Sequence, residues 1–300
     1  MISCIICSTN AKMQEGVRAN IAQCIGVPHE IIVIENGENN FSICQAYNKG
    51  ADSARFDVLC FLHEDILFET SDWGMKLLDH FAKLNDAGLI GLAGTTYKTL
   101  APSGWWAVTD NYLSYNYRQS YKHTETATRE RKMNCESLAA VVCLDGVFLA
   151  VRKEVFNKFR FDESLPHFHG YDLDLSLALG SEYKNYVVPD ILINHLSEGS
   201  LDDAWIRNMY LLFKKWNRQL PKLINGRPDK KMESLVWQNY CRTTLASTLG
   251  FGKKMNMLFD VLWTMSKRTL SFMPAYGFFR SLVYHLSVKL HIIKAAKVSN

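Results

Sequence analysis

No stretch of this 300-residue chain reaches the ~18 uninterrupted apolar residues that a helix needs to cross a bilayer. Its opening, MISCIICSTN, lacks a basic n-region, and the apolar run in it is too short for a secretory signal. Both absences predict a cytoplasmic chain, or one that sits peripherally on the inner face of a membrane. The eight cysteines then read as reduced core thiols. Cys4 and Cys7 match C-x-x-C, but positions three apart in an extended strand point to opposite faces, which argues against a shared metal or disulfide. The Gly- and Arg-rich phosphate loop expected near the first strand of a sugar nucleotidyltransferase is missing after CSTN, which counts against that enzyme class. The formal net charge is only +4, and no nucleic-acid partner is expected.

What is present is an ordinary globular composition, 48% hydrophobic and 21% charged, with a marked order along the chain. Apolar runs at 2–8, 30–36, 58–62 and 89–95 alternate with helical spacing at 17–25, 42–54 and 73–84. Strands apolar throughout and separated by helices predict an α/β fold with a mainly parallel sheet covered on both faces. Residues 94–134 are aromatic and polar with little periodicity, and read as a long loop excursion. Apolar strands return at 137–151. SLDD at 200–203 looks like a capping box that opens a helix. Residues 220–231 have the Gly and Pro of a linker, and the remainder reads as helical. The expected division is a main domain at 1–219 and a helical, basic region at 220–300. Residues 251–300 hold eight Lys and Arg against one acid, Asp260, with aromatics interleaved. That pattern suits a segment lying on anionic membrane, or a helical face docked on the main domain.

In an open parallel sheet, ligands bind where the strands end at their carboxyl termini. Three strands end there in polar side chains: Thr9-Asn10, Glu35-Asn36 and His63-Glu64-Asp65. A nucleotide site needs such donors and acceptors, and a carboxylate for a metal on the phosphates. HFHGYDLDLSLAL places Asp172 and Asp174 at the start of a helical pattern, and DILINHLSEGS delivers His195 into a loop. A carboxylate with an imidazole suits Mn²⁺ or Mg²⁺, the imidazole favouring Mn²⁺. Trp105-Trp106 could form a stacking platform or belong to the core.

In order, these segments resemble the GT-A fold glycosyltransferases, family 2-like, and most of all the branch related to a streptomycin-biosynthesis glycosyltransferase. The likeness covers about residues 1–200. SCIICSTN resembles the opening strand, and EIIVIENGE the second, with Glu35 and Asn36 in the place of acidic residues that hold base and ribose. AYNKGADSARFDVLCFLHED, which contains Tyr47 and Asn48, resembles the approach to the family's Asp-x-Asp motif. FDESLPHFHGYDLDLSLAL resembles the region of its Glu-Asp motif, and INHLSEGS the place of a late His ligand. LDGV, with Asp145, resembles a segment near the donor sugar. Two departures stand out: His63 occupies the place of the first Asp of Asp-x-Asp, and Tyr171 that of the Glu in Glu-Asp; the family's Ala-Arg-Asn before that strand also reads Ala46-Tyr47-Asn48 here.

The resemblance implies a GT-A fold with a helical C-terminal extension, and an inverting, metal-dependent sugar transfer. A nucleotide-sugar donor would give its sugar to a hydroxyl of a glycan or lipid-linked acceptor, in cell-surface polysaccharide biosynthesis. It assigns Asp172 as the base, and Asp65 and His195 as ligands of Mn²⁺ or Mg²⁺. Thr9, Glu35, Asn36, Tyr47, Asn48, His63, Glu64 and Asp145 would contact the nucleotide sugar; apart from the resemblance, Trp105 and Trp106 contact the acceptor if their aromatic faces stack on it rather than join the core. The two departures keep alive a non-catalytic module that binds a sugar nucleotide or scaffolds a complex.

Overall fold

The computed structural model describes residues 1–120, 129–196, 201–269 and 273–289. A seven-stranded sheet runs in the order Ala139–Val141, Lys184–Val187, Ala87–Gly91, Phe148–Arg152, Val58–Leu62, Ile2–Ser8, His29–Glu35. Five of these strands point one way; Phe148–Arg152 and Ala139–Val141 run against them. Alternation of side chains divides the core between the two faces of the sheet. Ile5, Leu59 and Phe61 join one apolar cluster, while Ile2, Cys4, Ile6, Val58, Cys60 and Leu62 join the other. Cys7 packs against the first cluster and Cys4 lies in the second, so the C-x-x-C pair is split, and all eight cysteines are free. The strand His29–Glu35 ends the sheet and is only half-buried, an edge rather than the buried strand its apolar run suggested.

Local chemistry sets the helix starts. Asn10 caps Ala11–Cys24 by accepting from the Lys12 and Met13 amides. Ser42 and Gln45 form a reciprocal capping box on Ile43–Ser53. The helix Asp203–Trp216 is capped by Asp202, which accepts from the Trp205 amide at 2.8 Å; Ser200, the expected cap, lies outside the described residues.

Two sequence expectations are corrected. Residues 94–134 are not a loop excursion. They contribute the strands Ala93–Thr95, Leu113–Ser120 and Arg129–Met133 to a second sheet, completed by Cys143–Leu144, Ile193–His195 and Ile66–Phe68. On Leu113–Ser120, Leu113, Tyr115, Tyr117 and Gln119 line a cavity, and Ser114, Asn116, Arg118 and Ser120 alternate with them on the other face. Residues 220–231 are more than a linker: Lys222–Leu223 pairs with Tyr97–Lys98.

Three helices follow, Lys230–Ala246, Phe251–Thr269 and Met273–Lys289. Trp237, Tyr240, Leu258, Val261 and Met265 join the same apolar cluster as the sheet residues Leu59 and Phe61. Asp260 accepts from Tyr210 and Lys214, both on Asp203–Trp216. Phe259, Trp263, Tyr276, Phe279 and Val283 turn outward, each more than half exposed. No helix among the described residues is long and apolar enough to cross a membrane.

Candidate functional site

The site lies where the parallel strands end. Val58–Leu62 runs out at His63. Beside it, the antiparallel strand Phe148–Arg152 begins, with Phe148 opposite Leu62, so Asp145 and Gly146 enter at the same edge. His195 comes from the second sheet. It pairs with Ile66, and the Leu196 amide donates to the Asp65 carbonyl. Register thus places His195 next to Asp65 although 130 positions separate them in sequence.

His63, Asp65 and His195 offer ligand atoms that all lie within 4.8 Å of one another. The ring tautomers follow from their second partners. Tyr171 donates its hydroxyl to the Gly146 carbonyl at 3.1 Å, so at 2.8 Å it accepts from His63 Nε2–H. That leaves the His63 Nδ1 lone pair facing Asp65, 3.8 Å away. Gln119 donates its amide nitrogen to the carbonyls of Ser120 and His195. Its oxygen therefore accepts from His195 Nδ1–H at 3.2 Å. His195 Nε2 is buried without a hydrogen bond, 3.6 Å from Asp65 Oδ1. Two imidazole lone pairs converging on one carboxylate fit a divalent cation, with Tyr171 and Gln119 as the outer partners that orient the ligands. Burial works against a charged His195, but the Asp65 carboxylate outweighs it and holds this imidazole above its usual range. Burial dominates at His63 and lowers it.

Asp172 opens the helix Tyr171–Leu179 and accepts from the Gly146 amide at 3.0 Å. A helix N-terminus favours an ionised carboxylate, but burial, and then the nearby Asp145, push Asp172 up from 3.8 to about 7, against the backbone amides that lower it. Gly146 must be glycine, because a Cβ there would come within 2.0 Å of the Tyr171 hydroxyl. Gly170 sits at φ +82°, a turn that aims the helix start at the site. Asp174 faces away, into Trp216 Nε1 and Lys215.

These groups share a cavity of about 520 Å³. His63, His195, Asp145 and Asp172 line it, with Trp106, Trp205, Phe168 and Met209 toward the helix Asp203–Trp216. Trp106 is 45% exposed and lies 6.3 Å from Trp205, with the rings near parallel. Trp105 is buried, and its Nε1–H donates to Asp145 Oδ2 at 2.5 Å, so it orients that carboxylate.

Other residues singled out from sequence stand at the sheet edge outside the cavity. Glu64 accepts from Ser8, Thr9 and Asn10, which ties the third strand to the end of the first. Glu35 is exposed at the end of its strand. Three turn inward. Both ends of the Asn36 amide bond the Phe41 backbone, Tyr47 donates to the Leu62 carbonyl from within an aromatic cluster, and Asn48 bonds Phe161 and Glu163. Sequence reasoning missed Tyr115, Tyr117 and Gln119, which line the cavity at every second position of one strand. That period of two was legible. Tyr171 as an outer partner was not, since nothing local pairs it with His63.

A family model described as glycosyltransferase like family matches residues 3–211. No curated protein matches. Among solved structures, a crystal structure of GalNAc-T7 with UDP, GalNAc and Mn²⁺ matches with a TM-score of 0.51 at 11% identity. The match covers 89% of this chain and 56% of that one, so the chain spans little more than half the length of that protein. The likeness is one of fold, GT-A. A197 from STIV is more distant, with a TM-score of 0.35 at 13% identity over 66% of this chain and 86% of that one, and nothing rests on it.

Proposed function

The chain belongs to the glycosyltransferase-like family, and on that footing we propose that it is an inverting, metal-dependent enzyme that moves a sugar from a nucleotide-sugar donor to a hydroxyl of a glycan or lipid-linked acceptor, in cell-surface polysaccharide biosynthesis. One observation carries the reading: a cradle for a cation and a buried carboxylate titrating near 7 share one cavity. His63, Asp65 and His195 would hold Mn²⁺ or Mg²⁺. When bound, the cation supplies Lewis-acid neutralisation of charge on the departing diphosphate. Asp145, oriented by the Trp105 indole and the Val147 amide, accepts a donor-sugar hydroxyl. Asp172 removes the acceptor proton, and a value near the working pH suits a general base. Attack from its side inverts the anomeric carbon. Trp106, backed by Trp205, offers a flat apolar face to the acceptor.

The test is a panel of UDP-, GDP- and dTDP-sugars, with and without Mn²⁺, read by thermal shift and by donor hydrolysis. Binding to the folded state alone raises apparent stability. Metal-dependent hydrolysis of one donor supports the reading. Binding without turnover under any acceptor would favour the non-catalytic module that His63 and Tyr171 kept open.

The outward aromatics of the last two helices, with the exposed Lys253, Lys267 and Arg280 beside them, suit attachment to the anionic inner face of a membrane. Lys267 lies over the Trp263 ring at 4.4 Å, a cation above an apolar body. Replacing Trp263 and Phe279 together by Ser should weaken co-sedimentation with phosphatidylglycerol vesicles. Equal sedimentation of wild type and variant would refute the attachment. In this reading 1–219 carries the chemistry and 220–300 the attachment.

A further inference from the structure

The segment from Tyr97 to Trp105 is buried almost throughout, yet only its first two residues form a strand. Buried irregular backbone must find partners for its polar groups. Beyond the strand pairing with Lys222–Leu223 and bonds within the segment, they come from the first turn of the helix Lys230–Ala246. Glu233, itself 7% exposed, accepts from the Tyr97 hydroxyl at 2.7 Å and from the Leu100 amide at 3.0 Å. The Asp229 amide donates to the same tyrosine oxygen. Lys98, buried beside this carboxylate, donates to Ser103, which also bonds Thr99. The segment then delivers Trp105 onto Asp145 and Trp106 into the cavity.

We infer that Glu233 is a positioning residue for the cavity: from the C-terminal helices it fixes the segment 97–105, and through it the Trp105–Asp145 contact and the Trp106 face. The consequence for catalysis rests on the transferase reading; the fixing itself does not. A carboxylate is required because it accepts from a hydroxyl and an amide at once and offsets the buried Lys98 charge. A glutamine keeps the shape, but its amide end cannot accept and its charge is gone.

The test compares full-length wild type with Glu233→Gln and, where that variant folds poorly, Tyr97→Phe, which keeps the carboxylate and removes the tyrosine oxygen's bonds to Glu233 and to the Asp229 amide. Asp260→Asn serves as a control that loses a C-terminal contact elsewhere. Hydrogen exchange by mass spectrometry should show lost protection confined to 97–106 in the first two variants and not in the control. Transfer measured well below the melting temperature should fall about ten- to a hundredfold in kcat/KM, because small misplacements are costly in catalysis, while Asp260→Asn lowers Tm without that loss. Unchanged protection at 97–106 overturns the inference. So does a lower Tm with kcat/KM intact, the signature of a purely stabilising role. If wild type turns over no nucleotide sugar, the transferase reading fails and the exchange result alone decides on Glu233.

Discussion

Two aspartates at the site sit in opposite electrostatic settings. Asp65 faces two imidazoles, and the pairing raises His195. Asp172 is buried beside a second carboxylate, Asp145, and is pushed up to about 7. The first setting favours holding a positive charge. The second favours taking and releasing a proton. Two aspartates on one sheet edge are thus sorted by their neighbours rather than by their type.

The sorting is broken most severely at the base. Asp172→Asn keeps shape and hydrogen bonding but cannot accept a proton, so kcat should fall by ~10²–10⁴. Stopped assays on the donor that the panel identifies check this. Asp174→Asn should cost far less, because Asp174 is engaged by Trp216 and Lys215 away from the cavity.

At the cation site, Tyr171→Phe removes the acceptor that fixes the His63 tautomer. Manganese affinity should fall about 10- to 100-fold, the usual cost of losing an outer partner, as measured by calorimetry. Unchanged affinity would mean that His63 is not a ligand.

The smallest effect is on stability, and it has the opposite sign to the loss of activity. The folded value of Asp172, about 7, lies above the ordinary 3.8. The folded chain therefore keeps a proton that the unfolded chain releases, and stability declines as pH rises from about 4 to 7. Asp172→Asn escapes that penalty. Above pH 7 the variant should have a higher unfolding free energy than wild type, by an amount on the order of a few kcal/mol, as measured by denaturant melts. The gap should narrow as pH falls through 7 and vanish below about 4. A constant gap across that range would place the pKa shift elsewhere.

The same contrast separates what could be read from the sequence from what could not. The strands 2–8 and 58–62, His63 to Asp65 at their edge, Asp172 at a helix start and His195 at a strand end were legible, because apolar runs and their polar ends are local signals. What escaped depends on contacts distant in sequence. Leu113–Ser120 looked like loop because one of its faces lines a cavity and the other carries polar residues, so its residues show no alternation of apolar and polar. Asn36, Tyr47 and Asn48 looked like ligand contacts, but their bonds go to Phe41, Leu62 and Phe161. Glu233 sits in a charged stretch, KKMES, that reads as a solvated helix start; only the fold shows it buried. The place of Asp172 at a helix start was legible because a helix terminus is a local signal; Asp145 beside it, which together with burial raises Asp172, was not.

One aspartate holds the cation and the other the proton in the proposed mechanism. Calorimetry of nucleoside diphosphate binding in the presence of Mn²⁺, run on Asp65→Ala and Asp172→Asn, tests it most directly. Asp65→Ala should lose the manganese-dependent part of the affinity while staying folded, and Asp172→Asn should bind as wild type does. Intact manganese-dependent binding in Asp65→Ala, or its loss in Asp172→Asn, would contradict the assignment.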